Sequence, residues 1–575
     1  MTYRMCRQGL STLLVLLTLS GAAVSAQVRD TTVLDIGNED VRLRDTADVH
    51  HRPGTTRLVT IGSASEDRLR VQQLLGAEPT AGFLLRSPSA LTPALGVAHA
   101  PQWEVFTPEL RGVWNSAIPF SANDGALWAG RGTNFQLLAG GRVRFGPVSL
   151  TVAPEYARSE NRDFEILPEH LYRRIPGRSP FASIWHVNDG RIDMPYRFGD
   201  DAFSTWSWGQ STLAIDAGPV VVGLATENQW WGPGIRNAIV LSNNAPGFLH
   251  FHVRTDSPLR TEIGAFEAKW LVGELRESDY FNTNPSNGGR SLSAAVLTYS
   301  PRWEPGLTLG AARGVYANAN NRQRVIKNGF HVFTSWERRD SVMQVEWEPA
   351  TEQVLSLFGR WVLPEEGFEL YGEYARQELP VSLRDLLLAP HHTRGYTLGF
   401  QWARPFSAEL LRLQGEITQL EQSPTFRQRP GDTFYTGRSW HHGYTHRGQI
   451  LGAAIGPGSS SQWLSVDWLH DRGQIGLFGG RIRWESDALY SSPSPRPERG
   501  FRRTAHAHDV SVFAGIRAGY AVAGMELLAE YSAALRYNYL FQNPDIFFGP
   551  EGAVDVRNRT FRVEMTPSRP LRLVR

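Results

Sequence analysis

The sequence predicts an all-β fold, an outer-membrane antiparallel β-barrel of about 18 strands that follows a short N-terminal helical plug segment. Three observations predict it: an export leader, a polar average combined with many aromatic residues, and apolar residues that alternate along segments joined by turns of alternating length. In this prediction residues 1–26 are the leader, residues 27–110 are a periplasmic or plug segment, and residues 111–575 are the barrel.

The first residues have the order of a secretory signal peptide. Arg4 and Arg7 precede the apolar run 10–19, and small residues follow it. This order is typical of a cleaved leader, and the apolar run is too short to cross a bilayer as a helix. We therefore expect export and removal of residues 1–26, together with Cys6, the one cysteine of the chain. A retained anchor is the alternative.

The composition excludes several classes of protein. Phe, Trp and Tyr make up 11% of the 575 residues, yet the mean hydropathy is −0.31 and no run of about 18 apolar residues follows the leader. Membrane-spanning helices are therefore not expected. The formal net charge of +2 offers no basic surface to nucleic acid. An exported, aromatic-rich chain without cysteine in its mature part fits an outer-membrane barrel, whose alternating strands escape hydropathy scans.

Strand alternation is clearest near the C-terminus. From Met525 to Tyr539 every second residue is apolar or tyrosine, whereas the intervening positions are mostly polar or charged. Because side chains on a strand point alternately to its two faces, one face suits lipid and the other suits a polar lumen. Stretches at 220–227 and 368–374 repeat the pattern. A strand of this length is unusual in a soluble sandwich.

Connections between the predicted strands alternate in length. We place short turns, rich in glycine and proline, at 145–147, 217–219, 304–306, 364–367 and 471–473. Long connections lie between them, at roughly 158–204, 228–248, 317–328, 377–393, 419–446, 485–505 and 540–555. Outer-membrane barrels keep short turns on the periplasmic rim and long loops on the extracellular rim. This order therefore orients the predicted barrel.

Two short helices are predicted outside the strands. Ser63 and Glu66 form a capping box at the start of a helix that ends before Gly76, within the plug segment. Ser382 begins a second helix, which extends to Leu388 inside a long connection. A flexible periplasmic segment is the alternative interpretation of the plug.

The stretch TENQWWGPGIRNAIVLSNNAP, residues 226–246, places two tryptophans at a Gly-Pro-Gly break among amides. It follows a strand that leaves a short turn, so Trp230 and Trp231 are expected at the loop rim or just inside the lumen. Tryptophan faces stack on sugar rings, and polar side chains such as Asn228 and Arg236 can bind the hydroxyls. An aromatic girdle or a lumen plug is the alternative interpretation of the pair.

Two groups of charged and aromatic residues complete the set of candidate site residues. One group lies near the first predicted strand and the other lies before the third; they are Asp124, Trp128 and Arg131, and Asp193, Arg197 and Asp200. Charges inside a lumen need partners, so these residues are expected to pair with one another and close the pore. Direct contact with a sugar is the alternative.

No cofactor, metal site or catalytic residue is predicted. The stretch from Trp440 to Arg447 contains three histidines, but their spacing matches no familiar set of metal ligands. Serine, histidine and acidic residues are plentiful, yet no motif sets them together as a nucleophile with its base or as a pair of carboxylates. We therefore predict a protein that is not an enzyme, with an outer-membrane hydrolase as an alternative.

Five further motifs accompany the tryptophan stretch. In chain order they are NDGALWAGRG at 123–132, IDMPYRFGD at 192–200, GQS at 209–211, LFGRWVLPEEGFELYGEYAR at 357–376 and GYTHRGQILGAAIGPGS at 443–459. Together the motifs resemble the Wzi-type outer-membrane capsule assembly protein family, over about 120 to 460. The resemblance implies an eighteen-stranded barrel closed by helical elements. It also implies a lectin-like protein that holds capsular polysaccharide at the cell surface.

We therefore expect a non-catalytic outer-membrane barrel that binds or organises capsular or other surface polysaccharide. Trp230 and Trp231 would supply stacking surface, and the other candidates would bind hydroxyls or close the lumen. An outer-membrane channel for a solute or for polysaccharide export is the alternative. The expected partners are surface polysaccharide and outer-membrane lipid, and the expected state is a monomer. Contact with export machinery is left open.

Overall fold

The computed structural model describes most of the chain, namely residues 55–95, 100–166, 179–181, 183–185, 192–281, 288–334, 351–377, 380, 382–406, 409–429, 431–437, 442–470, 473–489, 507–545, 547 and 549–567. The predicted leader and residues 27–54 of the predicted plug segment lie outside these residues. Within this part of the chain, no helix has both the length and the apolar character that crossing a bilayer requires.

Strands dominate the described residues. The first half of the chain contains β1 (Thr55–Thr56), β2 (Leu85–Arg86), β3 (Gln102–Asn115), β4 (Gly132–Phe145), β5 (Val148–Val152), β6 (Glu155–Ser159), β7 (Phe203–Ser207), β8 (Thr212–Ala217), β9 (Val220–Ala225), β10 (Trp230–Trp231), β11 (His250–Thr255), β12 (Leu259–Arg260) and β13 (Gly264–Arg276). The second half contains β14 (Gly289–Pro301), β15 (Leu307–Asn318), β16 (Glu352–Leu363), β17 (Phe368–Arg376), β18 (Arg394–Phe406), β19 (Glu409–Gln419), β20 (Thr445–His446), β21 (Gln449–Ile450), β22 (Ser460–His470), β23 (Gly473–Trp484), β24 (Asp509–Val522), β25 (Met525–Tyr537) and β26 (Val556–Pro567).

The long strands close a barrel with eighteen strand positions around its circumference, each of which is here called a stave. β5 and β6 together form one stave beside β4, β7 and β8 together form the next, and β12 extends the turn after β11. Each stave pairs antiparallel with the next one along the chain, and β26 pairs with β3 to close the sheet. The predicted antiparallel barrel of about 18 strands is therefore confirmed.

The helices are short. They are α1 (Ala64–Leu74), α2 (Pro88–Leu91), α3 (Arg322–Lys327) and α4 (Leu383–Leu388), with 3-10 turns at Asn328–Phe333, Pro364–Glu366, Pro424–Arg427, Ser486–Leu489 and Tyr539–Phe541. Both predicted helices are present. Ser63 caps α1, because its hydroxyl accepts a hydrogen bond from the backbone N–H of Glu66, and Ser382 caps α4 in the same way.

The alternation along the strands separates an outer face from a lumen. On β25 the exposed residues Met525, Leu527, Tyr531 and Tyr537 occupy every second position or a multiple of it, as the sequence predicts. Other strands expose leucine, valine, isoleucine and tryptophan at their outward positions. The barrel therefore carries an outward apolar belt, which is the surface that lipid solvates in an outer-membrane barrel.

The connections alternate in length around the barrel. Short turns join β4 to β5, β8 to β9, β14 to β15, β16 to β17, β18 to β19, β22 to β23 and β24 to β25. The long connections lie at the other end and comprise 116–131, 160–202, 226–249, 277–288, 319–351, 377–393, 420–459, 485–508 and 538–555. We call these two ends the short-turn end and the long-loop end. The first barrel strand begins at Gln102, so the boundary placed after residue 110 falls inside β3.

An apolar core fills the middle of the lumen. The connection 226–249, here called the inner loop, folds into the barrel and meets the plug segment, the wall and a second inward connection. The core includes Phe83 and Leu84 of the plug segment, Trp231, Ile239 and Leu241 of the inner loop, Tyr435, Tyr444 and Leu451 of the second connection, and Leu271, Leu292 and Phe358 of the wall. At mid-lumen the inward faces of the wall strands therefore pack against apolar residues of the inner loop, the plug segment and the second connection. The alternating pattern of β25, whose inner face is mostly polar, does not predict this apolar core.

Ion pairs join α1 to the barrel wall at the short-turn end. Glu369 of β17 binds Arg70 of α1 directly and also binds Arg360 of β16 at 2.9 Å. Asp67 of α1 lies 2.7 Å from Arg412 of β19. Burial alone would raise the pKa of Asp67, but the facing Arg412 holds that pKa below its ordinary value. Buried charges are costly without partners, so the charged side chains of α1 and of the wall stabilise one another by forming these ion pairs.

The substitution Glu369→Gln should loosen α1 without unfolding the barrel. It leaves Arg70 and Arg360 buried without a carboxylate, and breaking a buried pair costs about 3–5 kcal/mol. Proteases should then cut residues 64–95 of the detergent-solubilised protein faster, while the barrel keeps its folded mobility in unheated gel electrophoresis. Glu365→Gln, in the exposed turn after β16, is the matched control. Equal digestion of the two variants would contradict the role of this ion pair.

Candidate functional site

The two tryptophans of the predicted site lie inside the lumen. They form β10, in which Trp230 pairs with Arg86 and Trp231 with Leu85 of β2. Trp230 is 3% exposed and Trp231 is 0% exposed. The Arg86 guanidinium lies over the Trp230 ring at 4.9 Å. Of the two expected places, the loop rim and the lumen, the pair occupies the lumen, and neither ring presents an open face to a sugar.

Polar side chains around the tryptophans support the backbone of the inner loop. Asn228 donates from Nδ2 to the carbonyl of Ala245 at 2.8 Å, which ties the beginning of the loop to its end. The Glu416 carboxylate of β19 accepts hydrogen bonds from the backbone N–H groups of residues 235–237. The Arg236 guanidinium lies over the Trp463 ring at 5.3 Å. The polar residues that flank the tryptophans therefore hold the loop in place.

The glycines after the tryptophans allow the loop to turn back on β2. Gly232 has a φ of +108°, a conformation that residues with side chains rarely adopt. A Cβ atom at Gly234 would lie 2.1 Å from the carbonyl oxygen of Asn237. The N–H of Gly232 donates to the carbonyl of Leu84 at 3.0 Å. The Gly-Pro-Gly break thus lets two large aromatic residues pack against the plug segment.

The residues Asp124, Trp128 and Arg131 do not form one cluster, and each has its own contacts. Asp124 forms an ion pair with Arg562 of β26. Arg131 donates to the backbone carbonyl of Ser116 in its own connection and to that of Asp163 in the next long connection. The expected pairing of Asp124 with Arg131 is therefore wrong, because Asp124 pairs with Arg562 and Arg131 bonds backbone carbonyls. Trp128 packs 4.9 Å from the ring of Phe198 and lines the cavity described below.

Asp193 and Arg197 also have separate partners. Both the backbone N–H and the hydroxyl of Ser278 donate to the Asp193 carboxylate at 2.6 Å, and burial raises the pKa of Asp193. Arg197 binds Asp163 and Asp200, the latter at 3.2 Å. Within this group, the expected pairing occurs between Arg197 and Asp200. These contacts tie long connections to one another at the long-loop end.

A cavity of about 210 Å³ lies in the long-loop half of the lumen. One side is formed by those parts of β23, β24, β25 and β26 that adjoin long loops, and the other by the connections at 118–121, 194–196 and 448–456. Five aromatic rings line it, those of Phe120, Trp128, Tyr196, Trp484 and Phe513, together with hydrogen-bonding groups that include Gln449, Ser511, Arg536 and Asn558. Such a concave site with apolar faces and a few polar groups is the usual form of a ligand site.

Hydrogen bonds orient the ring of Trp484, the last residue of β23. Its indole N–H donates to the hydroxyl of Ser511 at 2.8 Å, and the Arg536 guanidinium lies 5.2 Å from the ring centre. Arg536 in turn donates to both carboxylate oxygens of Asp509, at 2.7 and 2.8 Å. A bidentate pair of this kind adds geometric precision to its charge. The ring of Trp484 is thus held in a preformed position.

Glu485 supplies an acid that changes charge near neutral pH. It follows Trp484 directly, lines the cavity and accepts a hydrogen bond from the hydroxyl of Tyr196 at 3.1 Å. Burial raises the pKa of Glu485 to about 7 and also raises the pKa of the nearby Asp487 to about 7. A carboxyl group in this range can donate a hydrogen bond when protonated and accept one when ionised.

Of the predicted candidate residues, Trp128 alone lines this cavity among the residues described. The sequence prediction missed Trp484, Glu485 and Arg536, which lie near strand ends far from the quoted motifs. The Trp-Glu pair at the end of β23, beside a long connection, is the one local signal for them. No metal-like cluster of histidine, cysteine and acidic residues occurs in the described part of the chain, and His442 instead lies 2.8 Å from Glu277.

The substitution Trp231→Ala should destabilise the lumen core. Removing a fully buried tryptophan leaves a cavity and costs about 3–5 kcal/mol. Thermal unfolding in detergent, followed by near-ultraviolet circular dichroism, should show a lower midpoint. Trp303→Ala, at a residue 76% exposed in the turn between β14 and β15, is the control and should change the midpoint little. An unchanged midpoint combined with weaker polysaccharide binding would instead place Trp231 at a sugar.

Thermal stability should fall as the pH rises from about 4 to about 7. The pKa values of Glu485 and Asp487 are raised in the folded protein, so the folded state keeps protons that the unfolded state releases between the ordinary carboxyl pKa and about 7. Each pKa unit corresponds to roughly 1.4 kcal/mol. The double variant Glu485→Gln/Asp487→Asn should therefore show a flatter dependence of unfolding midpoint on pH. An equally steep dependence in this variant would assign the effect to other groups.

Comparison with known proteins identifies the family. The family described as capsule assembly protein Wzi matches residues 108–482 of the chain. Among solved structures, Wzi of Escherichia coli, an outer membrane protein described as a carbohydrate-binding β-barrel involved in group 1 capsule assembly, aligns with a TM-score of 0.50 and 11% identity. That alignment covers 87% of this chain and 88% of the other. No curated protein matches the chain by sequence.

Two other solved structures align more loosely. OccK7 (OpdD) of Pseudomonas aeruginosa aligns with a TM-score of 0.36 and 11% identity, over 81% of this chain and 99% of its own. A BenF-like porin of Pseudomonas fluorescens Pf-5 aligns with a TM-score of 0.37 and 8% identity, over 83% of this chain and all of its own. The family match extends from β3 to β23, across most of the closed barrel, and the chain therefore belongs to the Wzi family of capsule assembly proteins.

Proposed function

We propose that this protein is a non-catalytic outer-membrane barrel that binds capsular or other surface polysaccharide at its long-loop end. Membership of the capsule assembly family supports the substrate class, and the fold shared with E. coli Wzi, itself described as carbohydrate-binding, agrees with it. The export leader at residues 1–26 is part of the proposal, since the barrel has to reach the outer membrane. We also propose that the protein acts as a monomer.

The observation that carries the proposal is the chemistry of the cavity. Sugar rings have apolar C–H faces that stack on aromatic side chains, and their hydroxyls both donate and accept hydrogen bonds. The cavity offers the rings of Trp128, Trp484 and Tyr196 beside the amide of Gln449 and the carboxyl group of Glu485. These groups combine stacking surface with both kinds of hydrogen-bonding partner. A segment of polysaccharide therefore fits the lining better than an apolar ligand does.

The position of the cavity suits a polymer at the cell surface. In outer-membrane barrels the long loops face the exterior and the short turns face the periplasm. The cavity adjoins the long-loop end, whereas α1 and its ion pairs occupy the short-turn end. A polymer on the outside of the cell would thus meet the cavity before it met the apolar core around Trp231.

The residues that line the cavity favour binding of the polymer over its hydrolysis. Glycoside hydrolysis uses two carboxyl groups that flank the scissile bond, at separations of about 5 to 10 Å. Among the described residues that line the cavity, Glu485 is the one carboxylic acid.

The apolar core and α1 also lie across the lumen, which favours binding over conduction. Planar-bilayer conductance measures that distinction directly, and a steady open channel would favour the transport alternative.

The substitution Trp128→Ala should weaken polysaccharide binding about tenfold. It removes one stacking face, and burying an aromatic surface of this size contributes roughly 1.5–3 kcal/mol. Isothermal titration of the detergent-purified barrel with the surface polysaccharide of the producing organism measures the Kd. Trp303→Ala removes an exposed tryptophan at the opposite end and serves as the matched control. Equal affinity of the Trp128→Ala and Trp303→Ala variants would contradict the assignment of the cavity.

A further inference from the structure

One connection of the long-loop end folds over the outside of the barrel. After β15, α3 and the 3-10 turn Asn328–Phe333 pack against β13 and β14. The indole N–H of Trp270 donates to the carbonyl of Gly329 at 3.1 Å, and Asn328 donates to the hydroxyl of Ser291 at 2.8 Å. We call residues 321–333 the outer helix segment.

The residues beneath this segment belong to the outward face of the sheet. On β13, Trp270 lies between Lys269 and Leu271, which are both buried in the lumen. On β14, Ser291 precedes Leu292 of the lumen core. Side chains alternate between the two faces of a strand, so Trp270 and Ser291 point outward. The outer helix segment therefore covers part of the apolar belt.

The segment continues the apolar belt with side chains of its own. Ile326 is 74% exposed, Phe330 is 61% exposed and Phe333 is 52% exposed. The Phe330 ring stacks on Trp270 with a centroid distance of 5.0 Å, and Phe251 of β11 lies 6.0 Å from Trp270. Aromatic clusters on the outside of a barrel mark the level at which the hydrocarbon of the membrane ends.

Cationic side chains accompany these apolar residues. Arg322, Arg324 and Lys327 are all exposed, and none of the three forms an ion pair with any residue that the structure describes. Lys327 is one of two lysines in the entire chain. Charged groups beside exposed apolar groups, at the border between the apolar belt and the long-loop end, are the arrangement of a helix that lies in a membrane interface.

We infer that the outer helix segment binds anionic, phosphate-bearing lipid of the outer leaflet. The lipid headgroup contacts Arg322, Arg324 and Lys327, and an acyl chain lies along Ile326 and Phe330. Basic residues close to a membrane surface attract anionic lipids, and exposed apolar residues insert beside the acyl chains. This inference rests on the outer-membrane placement in the proposed function, but it does not depend on polysaccharide binding.

The next helix along the chain, α4, shows that apolar exposure alone does not define this site. Leu383, Leu387 and Leu388 of α4 are also exposed at the long-loop end. However, Asp385 of α4 is paired with Arg429, and α4 has one cationic residue in place of three. We therefore expect α4 to contact lipid without selecting for its charge, whereas the outer helix segment selects anionic headgroups.

Lipid-specific quenching tests the inference. The exported barrel, which loses Cys6 with its leader, carries Ile326→Cys labelled with bimane and is reconstituted into phosphatidylcholine vesicles. The vesicles contain a minor fraction of doxyl-labelled phosphatidylglycerol or of doxyl-labelled phosphatidylcholine. We expect about twofold stronger quenching by the anionic quencher at low salt, and loss of that preference at high salt. The same label at Leu387→Cys should be quenched equally by both lipids.

Charge-matched variants show whether the preference is local. The triple variant Arg322→Ala/Arg324→Ala/Lys327→Ala should abolish the anionic preference at residue 326. The triple variant Arg260→Ala/Arg302→Ala/Arg404→Ala removes the same charge from exposed positions at the short-turn end and should preserve it. Equal quenching by both lipids in the parent protein would overturn the inference, as would quenching by neither lipid or equal losses in the two triple variants. Failure of polysaccharide binding in the same preparation would instead count against the proposed function alone.

Discussion

Closure of the sheet is the constraint on which the rest of this structure depends. Once β26 pairs with β3, every stave has a neighbour on both sides, and the sheet has no free edge on which to leave hydrogen-bonding groups unpaired. Closure also turns a simple alternation of side chains into two separate surfaces, one facing outward and one enclosing a lumen. The outward surface needs only to be apolar. The enclosed surface has to be filled, and its charges have to be paired.

The lumen is filled in three different ways along its length. Near the short turns, carboxylates and arginines of the wall bind α1, and Glu369 serves two arginines at once. At mid-lumen the inner loop and the plug segment pack around Trp231 as in the core of a globular protein. Near the long loops the packing is incomplete, and a cavity with aromatic and polar lining is left. A receptor that binds a polymer at the cell surface requires a rigid base and an open binding site. Here the packed short-turn end and mid-lumen supply the base, and the cavity near the long loops supplies the site.

The outward surface shows a related division. Its apolar belt extends around the barrel, but at β13 and β14 a connection folds back and adds cations to it. The contact between Phe330 and Trp270 fixes that connection against the wall. The lumen cavity and the outer helix segment thus lie at the same end of the barrel, on opposite sides of the sheet. A protein that retains polymer at the cell surface benefits from stable contact with the surrounding membrane. The lumen cavity would bind the polymer, and the outer helix segment would bind the membrane lipid.

The sequence by itself predicted the barrel, its strand number of about eighteen, the alternation of short turns with long loops, and two of its capped helices. Each of these depends on a local pattern: alternation of period two, turn composition, or a capping residue such as Ser63 or Ser382. It also indicated the family, through the motifs that resemble it. Only the tertiary structure decided that Trp230 and Trp231 face the plug segment, that Asp124 binds Arg562 across 438 positions of sequence, and that Trp128 and Trp484 line one cavity. These arrangements bring together residues that are more than a hundred positions apart in the sequence. They follow from the way the closed sheet and the inward path of the loops bring distant segments together, and no local pattern encodes which distant residues meet.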